Sequence, residues 1–232
     1  MALHPQHIWM ITLTVALYLL TRHIYLRCKA HPLLNVVIWS AAALIAIFVA
    51  CDIPYSDYVP AKDFMTAPLG PATVGLAVPL YRYRRLLRSR GAAIVAAVAA
   101  GTLLSMLLSG LLCQYAGLPW DVVVSMVPKG ASIPFAVEIA RVYDGIPALS
   151  AAFVAATGTG MGPLGLVLLT QARIRDPLAR GLALGTVAHA QGTALSLLES
   201  PQQGAMAGLA MILAGIFTAL LAPPVFRLLQ SV

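Results

Sequence analysis

The sequence predicts an all-α polytopic membrane protein of about seven transmembrane spans, with a re-entrant, broken-helix segment and internal repeats. Three observations predict it. Of 232 residues, 60% are hydrophobic and only 10% charged. The apolar residues fall in runs long enough for crossings of about 20 residues. One such run is interrupted by Pro128, Lys129, Gly130, Ser132, Pro134 and Glu138. Backbone broken at membrane depth is tolerated only where it is buried in protein or lines a watery cavity, and an intramembrane lysine or glutamate marks a candidate site. A polar loop at the membrane surface is the alternative reading of this stretch. The spans leave no room for a soluble domain, so 1–232 reads as one transmembrane domain interrupted near 69–73, 128–134 and 189–193.

Taken in order, residues 8–25 form a first span closed by Arg22, Arg27 and Lys29, and 33–50 a second. Residues 52–63 carry three aspartates, one lysine and interfacial tyrosines, the composition of an outer loop. The span over 64–83 is broken at Gly70 and Pro71, where proline removes a backbone donor, and ends in Arg82, Arg84, Arg85, Arg88 and Arg90. Residues 92–115 contain Gly101, Ser105, Ser109 and Gly110, small residues that let helices approach closely. After the 127–138 interruption, 147–169 is rich in Gly, Ala and Thr and ends at Arg173 and Arg175; 178–198 carries a third interruption at Gly192 and Thr193; 204–221 is the last span.

The net charge of +7 orients the chain in the membrane and does not point to nucleic acid, because the basic residues sit between apolar spans. The loops at 21–31 and 81–91 hold three and five of the fifteen Lys and Arg, which predicts both as cytoplasmic, the N-terminus outside and the C-terminus inside. Arg173, Arg175 and Arg180 obey the same rule only if residues 120–141 dip in and return. Cys28, Cys51 and Cys113 lie on separate segments, with neither a disulfide framework nor metal spacing. The N-terminus lacks the basic region and cleavage site of a signal peptide. Gly70–Leu80 and Lys129–Ile139 align at one constant offset through Ala72/Ala131, Thr73/Ser132, Val74/Ile133, Ala77/Ala136 and Val78/Val137, a candidate internal repeat with a weaker copy at Gly192 to Ala194.

The stretches 69–81, 128–139, 145–149, 179–193 with its ordered Gly185, His189, Gly192 and Thr193, and 204–205 resemble the LrgB/CidB family, named as antiholin-like or holin-like membrane proteins, with which the plastid glycolate/glycerate transporter shares a domain. The resemblance covers most of the chain from Tyr55 onward. It departs at the lysine motif, where Gly130 stands for a common serine and Ile133 for a frequent Thr or Ala. It implies a bacterial-type inner (cytoplasmic) membrane protein that either carries small hydroxy- or keto-monocarboxylates or regulates murein hydrolase release and lysis. It also implies a small LrgA/CidA-type membrane partner.

The residues themselves favour a carrier. A half-helix starting near Ser132, with Pro134 in its first turn, presents unpaired N–H groups to a carboxylate, and Lys129 adds a point charge. Glu138 is expected to neutralise Lys129 in an ion pair or to carry a proton. His189 is a candidate for proton coupling, and Thr73 and Thr193, with Gly192, are candidates at the other breaks. The expected partners are an organic anion, coupled H⁺ or Na⁺, the bilayer and a second copy of the chain, a dimer being favoured. No catalytic triad, carboxylate pair, metal cluster or cofactor motif is present in the sequence, so no enzyme, metal or cofactor is expected.

Overall fold

A computed structural model describes residues 5–27, 36–68, 81 and 84–231. The described residues are helical, without a strand. Candidate positions Gly70, Pro71 and Thr73, and with them the first copy of the proposed repeat, lie outside the described residues.

Residues 1–75 form one compact unit. Helix α1 (Pro5–Arg27) packs on α2 (Val36–Ala50) and on α3 (Tyr55–Thr66). Phe48 meets the Tyr58 ring edge-on at 5.2 Å, and the Tyr58 hydroxyl lies 3.2 Å from Thr14 Oγ1. The tyrosine thus joins all three helices.

Residues 76–232 form the second unit. Its helices are α4 (Arg84–Tyr115), α5 (Trp120–Met126), a 3₁₀ turn (Val127–Gly130), α6 (Ile133–Val142), α7 (Pro147–Gln171), α8 (Pro177–Glu199) and α9 (Pro201–Gln230). Local chemistry sets the boundaries. Pro147, Pro177 and Pro201 occupy first-turn positions, where a missing N–H costs nothing. Asp176 and Ser200 cap α8 and α9 by accepting from Leu178 N and Gln203 N, each at 3.1 Å. Gly117, Asp144 and Arg173 take left-handed conformations just past α4, α6 and α7, which reverses the chain.

Two segments fold back. Trp120, at the start of α5, and Tyr143, just past α6, both pack on the Phe226 ring, with centroids 6.2 and 4.7 Å away. Residues 120–143 therefore leave one level and return to it. Helix α8 does the same more sharply: Arg180 near its start and Glu199 at its end form a salt bridge of 2.8 Å. In a continuous helix these residues would stand about 28 Å apart. The chain bends at His189, whose φ of 39° and ψ of −121° are not helical. The arm from 177 to 188 runs beside the first turns of α9, with Gly181 against Gln203 and Gly185 against Ala207, while the arm from 190 to 199 returns.

The expected span over 178–198 is thus corrected to a hairpin, because the His189 bend brings its ends together. Among the described residues, four helices are long and apolar enough to cross a membrane: His7–Arg27, Arg88–Tyr115, Pro147–Gln171 and Pro201–Gln230. The C-terminus is displaced by the same bend. Leu229 sits against Gly110, and Gln114 Nε2 donates to Leu229 O at 2.5 Å, so α9 ends beside the C-terminal end of α4. The expected common side for the C-terminus and the Arg84–Arg90 cluster does not hold, since those arginines occupy the opposite end of α4.

Candidate functional site

The first hairpin opens where its sequence cannot stay helical. Pro128 ends α5 in a 3₁₀ turn, Ala131 and Ser132 are extended, and Pro134 enters the first turn of α6. Ser132 occupies the N-cap position, yet its hydroxyl caps no backbone N–H. The helix start therefore keeps its donors at Ile133 and Phe135, while Pro134 has none. Buried serines fix the hairpin in place. Ser125 Oγ donates to Asp121 O at 2.6 Å and accepts from Ile146 N at 2.8 Å, and Ser150 Oγ donates to Ala136 O at 3.1 Å.

The tip of the second hairpin is His189, in a backbone region that favours glycine. Its ring is buried, and Nε2 lies 3.1 Å from Val154 O, so Nε2 carries a proton and donates. Gly158 makes room for that ring, since a Cβ there would press on it. Thr193 Oγ1 donates to His189 O at 2.9 Å. The two arms touch backbone to backbone at Gly192, whose side chain, if it had one, would strike Leu184 O.

The tips meet. A Cβ on Gly130 would lie 3.5 Å from Ser105 Oγ and 3.6 Å from Thr186 O, which places the Lys129–Gly130 turn between α4 and the first arm of α8. This crossing falls between two apolar clusters. One contains Ile94, Val98, Leu182, Met206, Ala210 and Ala214; the other contains Met106, Val124, Val127, Ala222, Phe226 and Leu229. In the gap on α4 lies Thr102, and in the gap on α9 lies Thr218, both buried. Thr218 back-bonds to Ala214 O, as Thr186 does to Leu182 O, but the Thr102 hydroxyl has no partner among the described residues. A cavity of about 530 Å³ leads from Arg90 and Leu178 to Gly101 and Thr186 at the edge of this layer.

Lys129 is half-buried and makes no hydrogen bond or ion pair among the described residues. The expected pairing with Glu138 is corrected. Glu138 sits on the exposed face of α6 and accepts from Arg141 at 2.7 Å, one turn away, with both side chains 62% exposed. The structure sets the Lys129–Gly130 turn against Thr186 of the first arm, puts the His189 ring on α7, and buries Gly192 and Thr193 on the returning arm. Thr102 was missed by sequence reasoning. Its one signal in the sequence is a hydroxyl next to Gly101 among the small residues of α4. Among the described residues, no three His, Cys, Asp or Glu side chains are grouped to hold a metal ion.

At the base of the second hairpin, Arg180 Nε and Nη2 grip both Glu199 oxygens, at 3.0 and 2.8 Å. The neighbouring guanidinium holds the Glu199 carboxyl below the usual carboxylate range.

Residues 14–228 match the LrgB-like family. The chain is 33% identical to the Bacillus subtilis protein YwbG over 217 residues, 91% of this chain and 93% of that one. A Haemophilus influenzae protein is 33% identical over 195 residues, 84% of each chain. A Staphylococcus aureus protein named holin-like protein CidB is 28% identical over 220 residues, 95% of this chain and 96% of its own. No solved structure matches.

Proposed function

Because this chain belongs to the LrgB-like family and is an integral membrane protein, we propose that it is a secondary carrier of small organic monocarboxylates of the glycolate, lactate and pyruvate kind. The reading rests on one observation: two folded-back helices from opposite ends meet where the Lys129–Gly130 turn lies against Ser105 and Thr186, at a layer of hydroxyl residues that divides the apolar core. Half-helices that stop at mid-depth aim their termini at a bound ion, and the uncapped start of α6 adds N–H donors beside the Lys129 charge. With the arginines of α4, Arg173, Arg175 and Arg180 at one end of the second unit, the positive-inside rule makes that end cytoplasmic. The end of α9 then faces outward, while the N-terminus keeps its expected outer side. Ion coupling and a dimeric assembly belong to the same proposal.

The second reading is a holin-like or antiholin-like regulator of murein hydrolase export and lysis, acting with a small LrgA/CidA-type partner. The name of the Staphylococcus aureus relative favours it. The readings part on saturation. Purified protein in liposomes, alone and with the partner, is expected to take up glycolate or pyruvate with a measurable KM. A leak of unrelated solutes that never saturates would establish the second reading instead.

A further inference from the structure

Among the described residues, Arg180 donates to three partners on separate segments. Besides its two bonds to Glu199, Nη1 donates to Ile174 O at 3.0 Å and to Thr170 Oγ1 at 3.3 Å. Gln203 Nε2 donates to Glu199 Oε2 at 2.6 Å from the first turn of α9. The bonds tie together the end of α7, the turn after it, both arms of the second hairpin and the start of α9.

The two partners are unequally placed: the Arg180 side chain is 10% exposed and that of Glu199 is 38% exposed. A buried guanidinium cannot be left without a counter-charge except at a high free-energy cost. A carboxylate with a third of its surface in water can turn outward and be solvated. The fork that grips Glu199 is also the geometry that recognises any carboxylate bidentately. One turn deeper on the arm that carries Glu199, Ser196 Oγ is fully buried and has no partner among the described residues.

We infer that Arg180 is a second carboxylate site of this protein and that Glu199 is its resident occupant, which an incoming small carboxylate displaces. Exchange of one carboxylate for another keeps Arg180 neutralised throughout. It also unfastens the two arms at their base, because Glu199 leaves the fork and Gln203 together. Only the class of ligand rests on the carrier reading; the site itself rests on the fork, the exposure difference and Ser196.

The test is glycolate binding to the purified full-length protein in the Lys129→Gln background, which silences the proposed site at the crossing. Adding Glu199→Gln removes the competing charge while keeping a side chain of the same shape. Glycolate is then expected to bind at least about tenfold more tightly than to Lys129→Gln alone, glycolamide is expected to gain nothing, and further substitution Arg180→Gln is expected to abolish the gain. Equal gains for glycolate and glycolamide, or a gain indifferent to Arg180→Gln, overturn the inference. Should Glu199→Gln not fold, Glu199→Asp serves in its place. Its shorter side chain grips less well, and a gain of about threefold is expected, no gain counting against the site. Competition without saturable uptake by the wild type would remove the carrier reading and leave this site standing; uptake without competition does the reverse.

Discussion

The two hairpins solve one problem in opposite ways. The first keeps its charge at the tip, where Lys129 has no ion-pair or hydrogen-bond partner among the described residues, and closes its base with the aromatic rings of Trp120, Tyr143 and Phe226. The second keeps its charges at the base, where Arg180 and Glu199 neutralise each other, and closes its tip with His189 in a glycine-like conformation and with Gly192 against Leu184. A charge at the tip stands open to a ligand and adds little to stability. A charge pair at the base adds stability and yields to a ligand only by exchange of one carboxylate for another. The two fold-backs therefore differ in state: one holds its charge free, the other holds its charge already neutralised.

This difference can be broken by mutation, most severely through the backbone. Gly192→Ala drives a methyl group into Leu184 O, and overpacking of this kind should destabilise the protein by roughly 3 kcal/mol. Gly130→Ala, whose methyl group meets only ordinary contacts, should melt like the wild type. Equal melting temperatures for the two variants would show that the second hairpin is not the rigid partner.

Next in size is Lys129→Gln. With no partner lost, stability should hold, whereas glycolate affinity should fall by about 1.5 to 3 kcal/mol, the worth of a hydrogen bond to a charged group, or roughly ten- to hundredfold by titration calorimetry.

Arg180→Gln is the complement. It should lower stability by about 2 kcal/mol, less than a fully buried pair because Glu199 can reach water. The pair also predicts a pH dependence with a definite sign. Because the Glu199 carboxyl is held below its usual range, the clamp is intact at neutral pH and is lost as pH falls below about 4. The wild-type melting temperature should therefore drop across that acid range more steeply than that of Arg180→Gln.

Glu138→Gln should have the smallest effect, at most about 0.5 kcal/mol, because its pair with Arg141 is exposed. Combined with Lys129→Gln it should be additive in melting temperature, and a coupling above about 0.5 kcal/mol would restore the ion pair expected from the sequence.

The all-helical apolar architecture and the family were legible in the sequence, because composition and the ordered glycine, histidine and threonine positions survive without coordinates. The partner of Glu138 was also within reach, three residues away at Arg141, but the rarer lysine drew attention from a commonplace surface pair. Arg180 and Glu199 were not legible. A continuous helix over 178–198 separates them by its whole length, and nothing local shows that His189 takes a conformation usually reserved for glycine. Thr102 was invisible for a different reason: an unpaired hydroxyl is defined by the neighbours it lacks, and those neighbours are set by α9 and the hairpin tips, far away in sequence.

The bend at His189 also bears on how the protein is made. Each arm of α8 rises only about 17 Å, little more than half of a hydrocarbon core of about 30 Å. Neither arm is long enough to be retained by the insertion machinery as a crossing. One surface that receives them lies on α7, made earlier, where Val154 and Gly158 meet His189 and Gly162 meets Leu195. The other lies on α9, made afterwards, where Gln203 and Ala207 pack against Gly181 and Gly185. The hairpin is thus backed by a helix that precedes it and closed by one that follows it, so its packing is complete only when the last helix of the chain is in place.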